Sequence, residues 1–538
     1  MYDTHLETHY DQRTMRCFQH RPRDLMALWS AVARRKPAAE ALVCGAQRLS
    51  WAQLDDQVMR VAAGLRAQGV GQGDRVALLL GNGSEFVVAS YAILAIGAVV
   101  LPLSTREQTP GLTYILRNSG ASALFVDAAL QTLAPPAGEV PDLRLRVVVG
   151  DSDAACRFDA LLRHARLEQP VAVDEEDLAM LVYTSGTTGF PKGAMLTHLG
   201  LVHTILHYAQ SLGLDDSVRC CLVVPLSHIT GLAALMAVTL GLGGTLIVVP
   251  HFKAAEFLPL AARERISYTI MVPAMYQLCL LQPDFERHDL SAWTVGGYGG
   301  APMPPETIDR LAQWLPGLRL SNCYGATETT SPVAVMPAQL TRAHLDSVGP
   351  ALPCADIAVM DDDGRQVPVG EIGELWLKGP MVAKGYWQNP QATRENFIDG
   401  YWRSGDVGRV DAQGFVYVLD RRKDMLNRGG YKIFSVEVEN ALCEHPDVLE
   451  AAVVAKPCPV LGERVHVFVT PRPGKVLDAA ALRSFCAQRL SDYKVPESFT
   501  LRADPLPRNA NGKLLKRVLR EALATATAAA TSAATSTA

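Results

Sequence analysis

Apolar and polar positions along the chain switch between helical and strand periods, and the switching predicts the architecture. Leu54 to Gln68 has apolar residues at helical spacing, Gly69 to Asp74 reads as a turn, and Arg75 to Leu80 is an apolar run of strand length. Two uncharged stretches, Phe86–Leu103 and Leu232–Pro250, approach the ~20 residues of a membrane span. Each breaks at glycine, at Gly97 in the first and at Gly241, Gly243 and Gly244 in the second. Each then resumes as a short β-branched run, Ala98 to Leu101 and Thr245 to Val249. Buried helix, turn and buried strand account for both, so no transmembrane segment is predicted. Similar alternation runs from Leu25 to about Asp174 and again from Asp177 to Pro337, where Ile266–Val272 is a further strand. It argues for layered α/β units on a mostly parallel sheet.

From Val348 to Leu419 the pattern turns to short strands and turns, which predicts a β-rich subdomain. The charged run Asp420-Arg421-Arg422-Lys423-Asp424 reads as a hinge. From Lys432 to about Leu523 the order is strand, helix, strand, helix, enough for a small α+β domain of ~100 residues. The predicted division is therefore a large domain over 1–420, a hinge at 421–424 and a small domain over 425–523. The remainder, 524–538, holds only Ala, Thr and Ser, and its composition predicts a disordered tail.

With 538 residues the chain exceeds one core, since domains usually hold about 100–200 residues. Hydrophobic content of 49% and charged content of 20% describe a globular enzyme. A net charge of −4 excludes a general nucleic-acid binder, which is expected to be basic. The 11 cysteines show no CxxC and no metal-ligand spacing, and Cys220 and Cys221 lie in an apolar run. That pattern predicts buried thiols in a reduced, cytoplasmic protein. Met1 to His20 is polar, without the apolar core of a signal peptide.

Chemistry concentrates first in Thr184-Ser185-Gly186-Thr187-Thr188-Gly189-Phe190-Pro191-Lys192-Gly193. Four hydroxyls, three glycines and one lysine fall within ten residues. Glycines let backbone N–H groups approach an anion, hydroxyls add donors, and Lys192 adds a mobile positive charge. This is a polyphosphate cradle by composition. It is not the P-loop pattern, because Pro191 precedes the lysine and no Ser or Thr follows it. A second cluster is Tyr324-Gly325-Ala326-Thr327-Glu328. There Tyr324 can stack on a purine, Thr327 can bond a phosphate oxygen, and Glu328 can take a hard cation such as magnesium. Asp406, just after Arg403-Ser404-Gly405, offers a carboxylate able to accept from two ribose hydroxyls.

Ser185 to Gly193, together with Tyr-Gly-x-Thr-Glu at Tyr324–Glu328, resembles the adenylate-forming superfamily of acyl-CoA synthetases, luciferases and peptide-synthetase adenylation domains. The acyl-CoA synthetases are the nearest match. The resemblance spans roughly Leu25 to Arg520, with motifs in family order. It implies that Thr184, Ser185, Gly186, Thr187, Thr188, Gly189 and Lys192 grip the β- and γ-phosphates of ATP, with Thr184 and Lys192 acting in catalysis. Glu328 is then the Mg²⁺ ligand. Gly300, Ala301 and Pro302 lie against adenine, while Asp406 and Arg421 serve ribose and phosphate. His228 and Tyr298 border the acyl pocket, and Tyr298 stands where a smaller residue is common. Lys423 matches the hinge residue. Gly430 and Lys432 match the segment presented for thioester formation, and Lys513 in Pro507-Arg508-Asn509-Ala510-Asn511-Gly512-Lys513 matches the adenylation lysine. The small domain is then mobile.

The implied reaction is ATP-dependent acid–CoA ligation through acyl-AMP, on a medium-chain or aromatic acid, with ATP, Mg²⁺ and coenzyme A. Transfer to a carrier-protein phosphopantetheine is the alternative, and a non-catalytic acyl or nucleotide sensor a remote one. A homodimer stays open.

Overall fold

The computed structural model describes residues 3–10, 12–184, 191–429, 431–508 and 514–536, with backbone alone over 527–536. Contacts divide the chain into two units. Met1–Ala358, Trp376–Arg403 and Gly414–Val416 form one, and Val359–Leu375, Ser404–Gln413 and Tyr417–Ala538 form the other. The fold is mixed α/β, with a larger N-terminal and a smaller C-terminal part.

Two sheets frame the first unit. One runs in spatial order Lys192–Thr197, Leu178–Thr184, Val99–Pro102, Arg75–Leu79, Ala123–Asp127, Leu145–Val149, parallel except for the first, antiparallel pair. The other runs Ser331–Val335, Arg319–Ala326, Val295–Tyr298, Tyr268–Met271, Arg219–Leu222, Thr245–Val248, Glu40–Cys44, Gln47–Ser50. It is parallel through its middle and antiparallel at both edges.

The helices follow from their sequences. Trp51–Ala67 opens on a capping box, with Ser50 and Gln53 each accepting from the other's backbone N–H, and buries Leu54, Val58, Val61 and Leu65 on one stripe. Ser84–Ala95 is buried on nearly every side, which explains its unbroken apolar run. Gly97, at φ 70°, then turns the chain into Val99–Pro102. The second uncharged stretch repeats this device: π-helical Thr230–Ala237, helix Val238–Leu242, Gly243 at φ 92°, strand Thr245–Val248. Among the described residues no helix is long and apolar enough to cross a membrane.

Helix His198–Leu212 carries three buried histidines that tie distant backbone to it. His198 Nδ1 accepts from Leu25 N (3.3 Å), His203 Nε2 from Phe18 N (3.1 Å) and His207 Nε2 from Cys354 N (3.3 Å). The His203 Nδ1–H donates to Leu199 O (2.8 Å), which fixes a neutral ring. Burial lowers the pKa of His198 to about 4 and that of His203 to about 3, and holds His207 well below the usual value. The polar N-terminal segment is an antiparallel hairpin, Thr4–His9 with Arg13–Phe18. It is held by the buried Met15, Cys17 and Phe18 and by charge: Arg21 forks onto Glu7 (2.6 and 2.7 Å) and Glu175 (3.0 and 3.1 Å).

The second unit carries its own sheet, in order Tyr431–Ile433, Leu426–Arg428, Gly462–Pro471, Val448–Cys458, with Ser498–Leu501 parallel to Gly462–Pro471. Strand alternation splits its apolar residues into two cores. Val453, Val465 and Val467 pack with Val438, Leu442 and Leu482, whereas Ala452, Val454 and Phe468 pack with Leu519 and Leu523. The final helix, Lys516–Ser536, continues into the stretch whose composition predicts a disordered tail. Alanine is the strongest helix former, so a segment with too little apolar surface for a core can still prolong a docked helix.

Candidate active site

The phosphate-loop motif lies on a hairpin of Leu178–Thr184 and Lys192–Thr197, whose register sets Thr184 opposite Lys192 and so puts both side chains on one face. Its tip, Ser185, Gly186, Thr187, Thr188, Gly189 and Phe190, lies outside the described residues. The shoulders are pinned by phenols. Tyr183 Oη donates to Asn118 Oδ1 (2.6 Å), and Tyr114 Oη donates to Pro191 O (3.2 Å).

Glu328 arrives from another strand. Arg319–Ala326 ends in a single turn, Thr327–Thr329, after which Thr330 (φ 51°) and Ser331 (φ 98°) bend the chain through positive φ. Such positions cost on the order of 1–3 kcal/mol each in non-glycine residues. Hydrogen bonds hold them, with Ala326 N donating to Thr329 Oγ1 (2.8 Å) and Thr330 Oγ1 to Met381 O (2.6 Å). The bend explains Gly325, where a Cβ would fall 1.4 Å from Ser331 O. Glu328 is 8% exposed, and its Oε1 accepts from Thr184 Oγ1 (3.3 Å) and Tyr386 Oη (3.0 Å). Among the described residues no lysine, arginine or histidine forms an ion pair with it. Tyr324 and Thr327, on the same motif, are partly exposed.

The expected acyl and adenine residues lie past the carboxyl ends of parallel strands of the eight-stranded sheet, the usual ligand side of such sheets. Tyr298 closes Val295–Tyr298, is buried, and has its phenol pKa pushed up by burial. Gly300 (φ 76°), Ala301 and Pro302 form the exposed turn after it. His228 follows Arg219–Leu222, and its Nδ1 accepts from Thr230 N (3.3 Å) at the start of the π-helix.

Within the second unit, Asp406 is buried in Tyr401–Val410, where its N–H donates to Ser404 Oγ (3.0 Å) and its Oδ1 pairs with Arg421 Nε (2.7 Å). The neighbouring charged run is not a bare solvated turn, because Asp420 is buried and accepts from Ser435 Oγ (3.0 Å) and Arg421 N (2.7 Å). Burial lowers the Lys423 pKa, against the opposing pull of Asp424. Lys432 is exposed on Tyr431–Ile433. Gly430 and Lys513 lie outside the described residues. Of the basic residues Lys516, Arg517 and Arg520, Arg517 is exposed, whereas Lys516 is half-buried and its Nζ meets Glu439 Oε1 (2.7 Å) and Ser435 Oγ (2.6 Å).

The sequence profile of the AMP-binding enzyme family matches residues 29–387, and that of the AMP-binding enzyme C-terminal domain matches 437–513. The chain belongs to the AMP-binding enzyme family. It is 37% identical over 490 residues to a feruloyl-CoA synthase of Amycolatopsis, covering 91% of this chain and 96% of that one. It is 33% identical over 481 residues to a long-chain-fatty-acid–CoA ligase of Mycobacterium tuberculosis, covering 88% and 93%. Among solved structures it resembles o-succinylbenzoate coenzyme A synthetase of Bacillus subtilis in complex with ATP and magnesium ion, with TM-score 0.82, 29% identity and coverage of 92% and 99%. Like these relatives the chain is an AMP-forming acid–CoA ligase, working with ATP, Mg²⁺ and coenzyme A.

The residues present fit that ion. Glu328, a buried carboxylate with no cationic partner among the described residues, lies beside the Thr184 hydroxyl, and this hard-oxygen donor set suits Mg²⁺ bound jointly with phosphate. One neighbour escapes sequence reasoning. Tyr386, in Lys384-Gly385-Tyr386-Trp387, reads as ordinary core aromatic, and the adjacent aromatic pair was its one signal. Burial, then the Glu328 carboxylate, pushes its phenol pKa up, so it stays a proton donor.

Proposed function

We propose that this ligase activates an aromatic carboxylic acid and passes it to free coenzyme A in the cytoplasm. The observation that carries the site assignment is Glu328, a buried carboxylate with no cationic partner among the described residues, at the foot of the phosphate-loop hairpin. The substrate class draws support from the feruloyl-CoA and o-succinylbenzoate relatives and from the bulk of Tyr298 at a strand end. The long-chain relative keeps a medium-chain acid as the second reading. The cytoplasmic assignment rests on eleven free cysteines.

A carboxylate approaching the α-phosphate is an anion meeting an anion, so catalysis depends on neutralising and aligning charge. Lys192 and the hydroxyls of Thr184, Ser185, Thr187 and Thr188 hold the β- and γ-phosphates, with Gly186 and Gly189 giving backbone access. Glu328 and Thr184 would hold Mg²⁺, which supplies charge neutralisation on the phosphate oxygens. Gly300, Ala301, Pro302 and Tyr324 flank adenine, and Asp406 and Arg421 fix the ribose. Lys513 binds the α-phosphate and the attacking carboxylate. The acid oxygen bonds to phosphorus as the bond to pyrophosphate breaks, giving acyl-AMP. Rotation of residues 425–523 about Lys423 then withdraws Lys513 and brings Gly430 and Lys432 to the thiol path. The thiolate attacks the acyl carbon and AMP leaves.

A CoA-ligation screen from acetate to palmitate, with benzoates and cinnamates, tests the substrate class. The highest kcat/KM is expected among the aromatic acids. A preference for octanoate would select the second reading, and one for acetate or palmitate would overturn both.

A further inference from the structure

We propose that Tyr386 is the positioning residue of Glu328, fixing which carboxylate oxygen faces the metal. The proposal rests on the reading of Glu328 as the Mg²⁺ ligand. The proton directions follow from chemistry. Trp402 Nε1 donates to Tyr386 Oη (3.2 Å), and an indole is a donor only. The phenol oxygen therefore accepts there and sends its own proton to Glu328 Oε1 at 3.0 Å. The Thr184 hydroxyl reaches the same oxygen at 3.3 Å. Two donors on Oε1 orient the carboxylate and leave Oε2 as the oxygen free for a cation, since among the described residues no side chain bonds it.

The tyrosine is held from several sides. Its segment is joined to the phosphate-loop hairpin by an isolated antiparallel bridge of Tyr386 with Ala194, with Lys384 N donating to Met195 O (3.0 Å), Met195 N to Gly385 O (3.0 Å) and Trp387 N to Gly193 O (2.8 Å). Ala383 N reaches the Glu328 carbonyl at 2.8 Å, so backbone and side chain of Glu328 are gripped by one segment. Arg13 of the N-terminal hairpin donates to Ala383 O (2.9 Å) and Lys384 O (2.7 Å). Phe397 packs edge-on to the Tyr386 ring at 5.5 Å. The Lys192 ammonium lies over the ring face, 5.1 Å from its centroid, so one side chain steadies both the carboxylate and the phosphate-loop lysine.

The test is binding of Mn²⁺ to the full-length protein with a non-hydrolysable ATP analogue, read from the free Mn²⁺ electron paramagnetic signal. Tyr386→Phe, Trp402→Phe and Glu328→Gln are compared with the unaltered chain. Loss of such an outer partner typically weakens metal affinity about 10–100-fold. That weakening is expected for Tyr386→Phe, with a smaller one in the same direction for Trp402→Phe. The Mg²⁺ needed for half-maximal pyrophosphate exchange rises in step, and excess Mg²⁺ restores the rate. If Tyr386→Phe and Trp402→Phe keep full Mn²⁺ affinity while Glu328→Gln loses it, the positioning role is overturned and the metal assignment stands. If Glu328→Gln also keeps it, the metal assignment falls as well. Should Tyr386→Phe fail to fold, Trp402→Phe decides alone, full affinity counting against the proposal.

Discussion

Lys513 and Tyr298 make the sharpest single-residue claims, one for the first half-reaction and one for the choice of acid. Removing one preorganised charge-stabilising donor typically costs on the order of 10²–10³-fold. Lys513→Ala is expected to lose that much in acid-dependent pyrophosphate exchange while converting supplied acyl-AMP to acyl-CoA at near-normal rate. Equal loss in both half-reactions would break the assigned division of labour. Tyr298→Ala opens the end of Val295–Tyr298. Because differences of this kind in a pocket are worth about 10–200-fold, relative kcat/KM should shift towards bulkier acids by roughly tenfold. An unchanged ranking in the ligation screen would remove Tyr298 from the pocket. Glu328, Thr184 and Lys192 stood out in the sequence as carboxylate, hydroxyl and amine at motif spacing, and the structure sets Thr184 opposite Lys192 and within 3.3 Å of Glu328. Tyr386 did not stand out, because nothing local distinguishes an aromatic that packs from one that also donates a hydrogen bond to a residue 58 positions away.

At the scale of elements, helix His198–Leu212 makes stability depend on pH. Its buried histidines have folded-state pKa values below the unfolded value, about 4 for His198 and about 3 for His203. The groups facing them are Asp24 and Asp177 for His198, and Arg21, Glu7 and His9 for His203, while His207 feels His203. Below about pH 6.5 the unfolded chain binds protons that the folded chain refuses, so this contribution is complete above that pH and is lost as pH falls towards 4 and 3. Calorimetry should show Tm falling from pH 7 to 5, with a shallower slope in His203→Gln, whose amide can keep both hydrogen bonds without titrating. A slope as steep as that of the unaltered chain would contradict the neutral-histidine account. In the second unit Lys516 sits between Glu439 and Ser435, and burial raises the pKa of both Glu439 and nearby Asp420. Lys516→Met leaves the buried Asp420 and the partly buried Glu439 without their cation, and a loss towards the lower end of the about 3–5 kcal/mol typical for one partner of a buried pair is expected. Denaturant unfolding of the full chain measures it.

Elements were legible where pattern alone decides them. Phe86–Leu103 and Leu232–Pro250 declared helix, turn and strand because glycine must mark the reversal between two buried pieces. The N-terminal hairpin was hidden, since its apolar side is short, Met15, Cys17 and Phe18, and the ion pairs of Arg21 with Glu7 and Glu175 that help hold it join residues far apart in the chain. The final helix was hidden for the opposite reason, as alanine reads as low complexity until a docked turn precedes it.

For the whole molecule, the order of motifs from Thr184 through Glu328 and Asp406 to Lys513 carried more than any one of them. A hydroxyl-rich loop suits many nucleotide enzymes, but these partners at these separations favour the proposed role on the departing pyrophosphate. The choice of acid was not legible, because a pocket is assembled from side chains at several strand ends and no local motif encodes its depth. The central claim is that this chain builds an acyl-adenylate before any thiol enters. Acid-dependent exchange of labelled pyrophosphate into ATP, with Mg²⁺ and without coenzyme A, measures that directly. The account predicts exchange with an aromatic acid such as ferulate or benzoate, abolished by Glu328→Gln. Exchange absent with every acid screened, or cleavage of ATP to ADP, would contradict it.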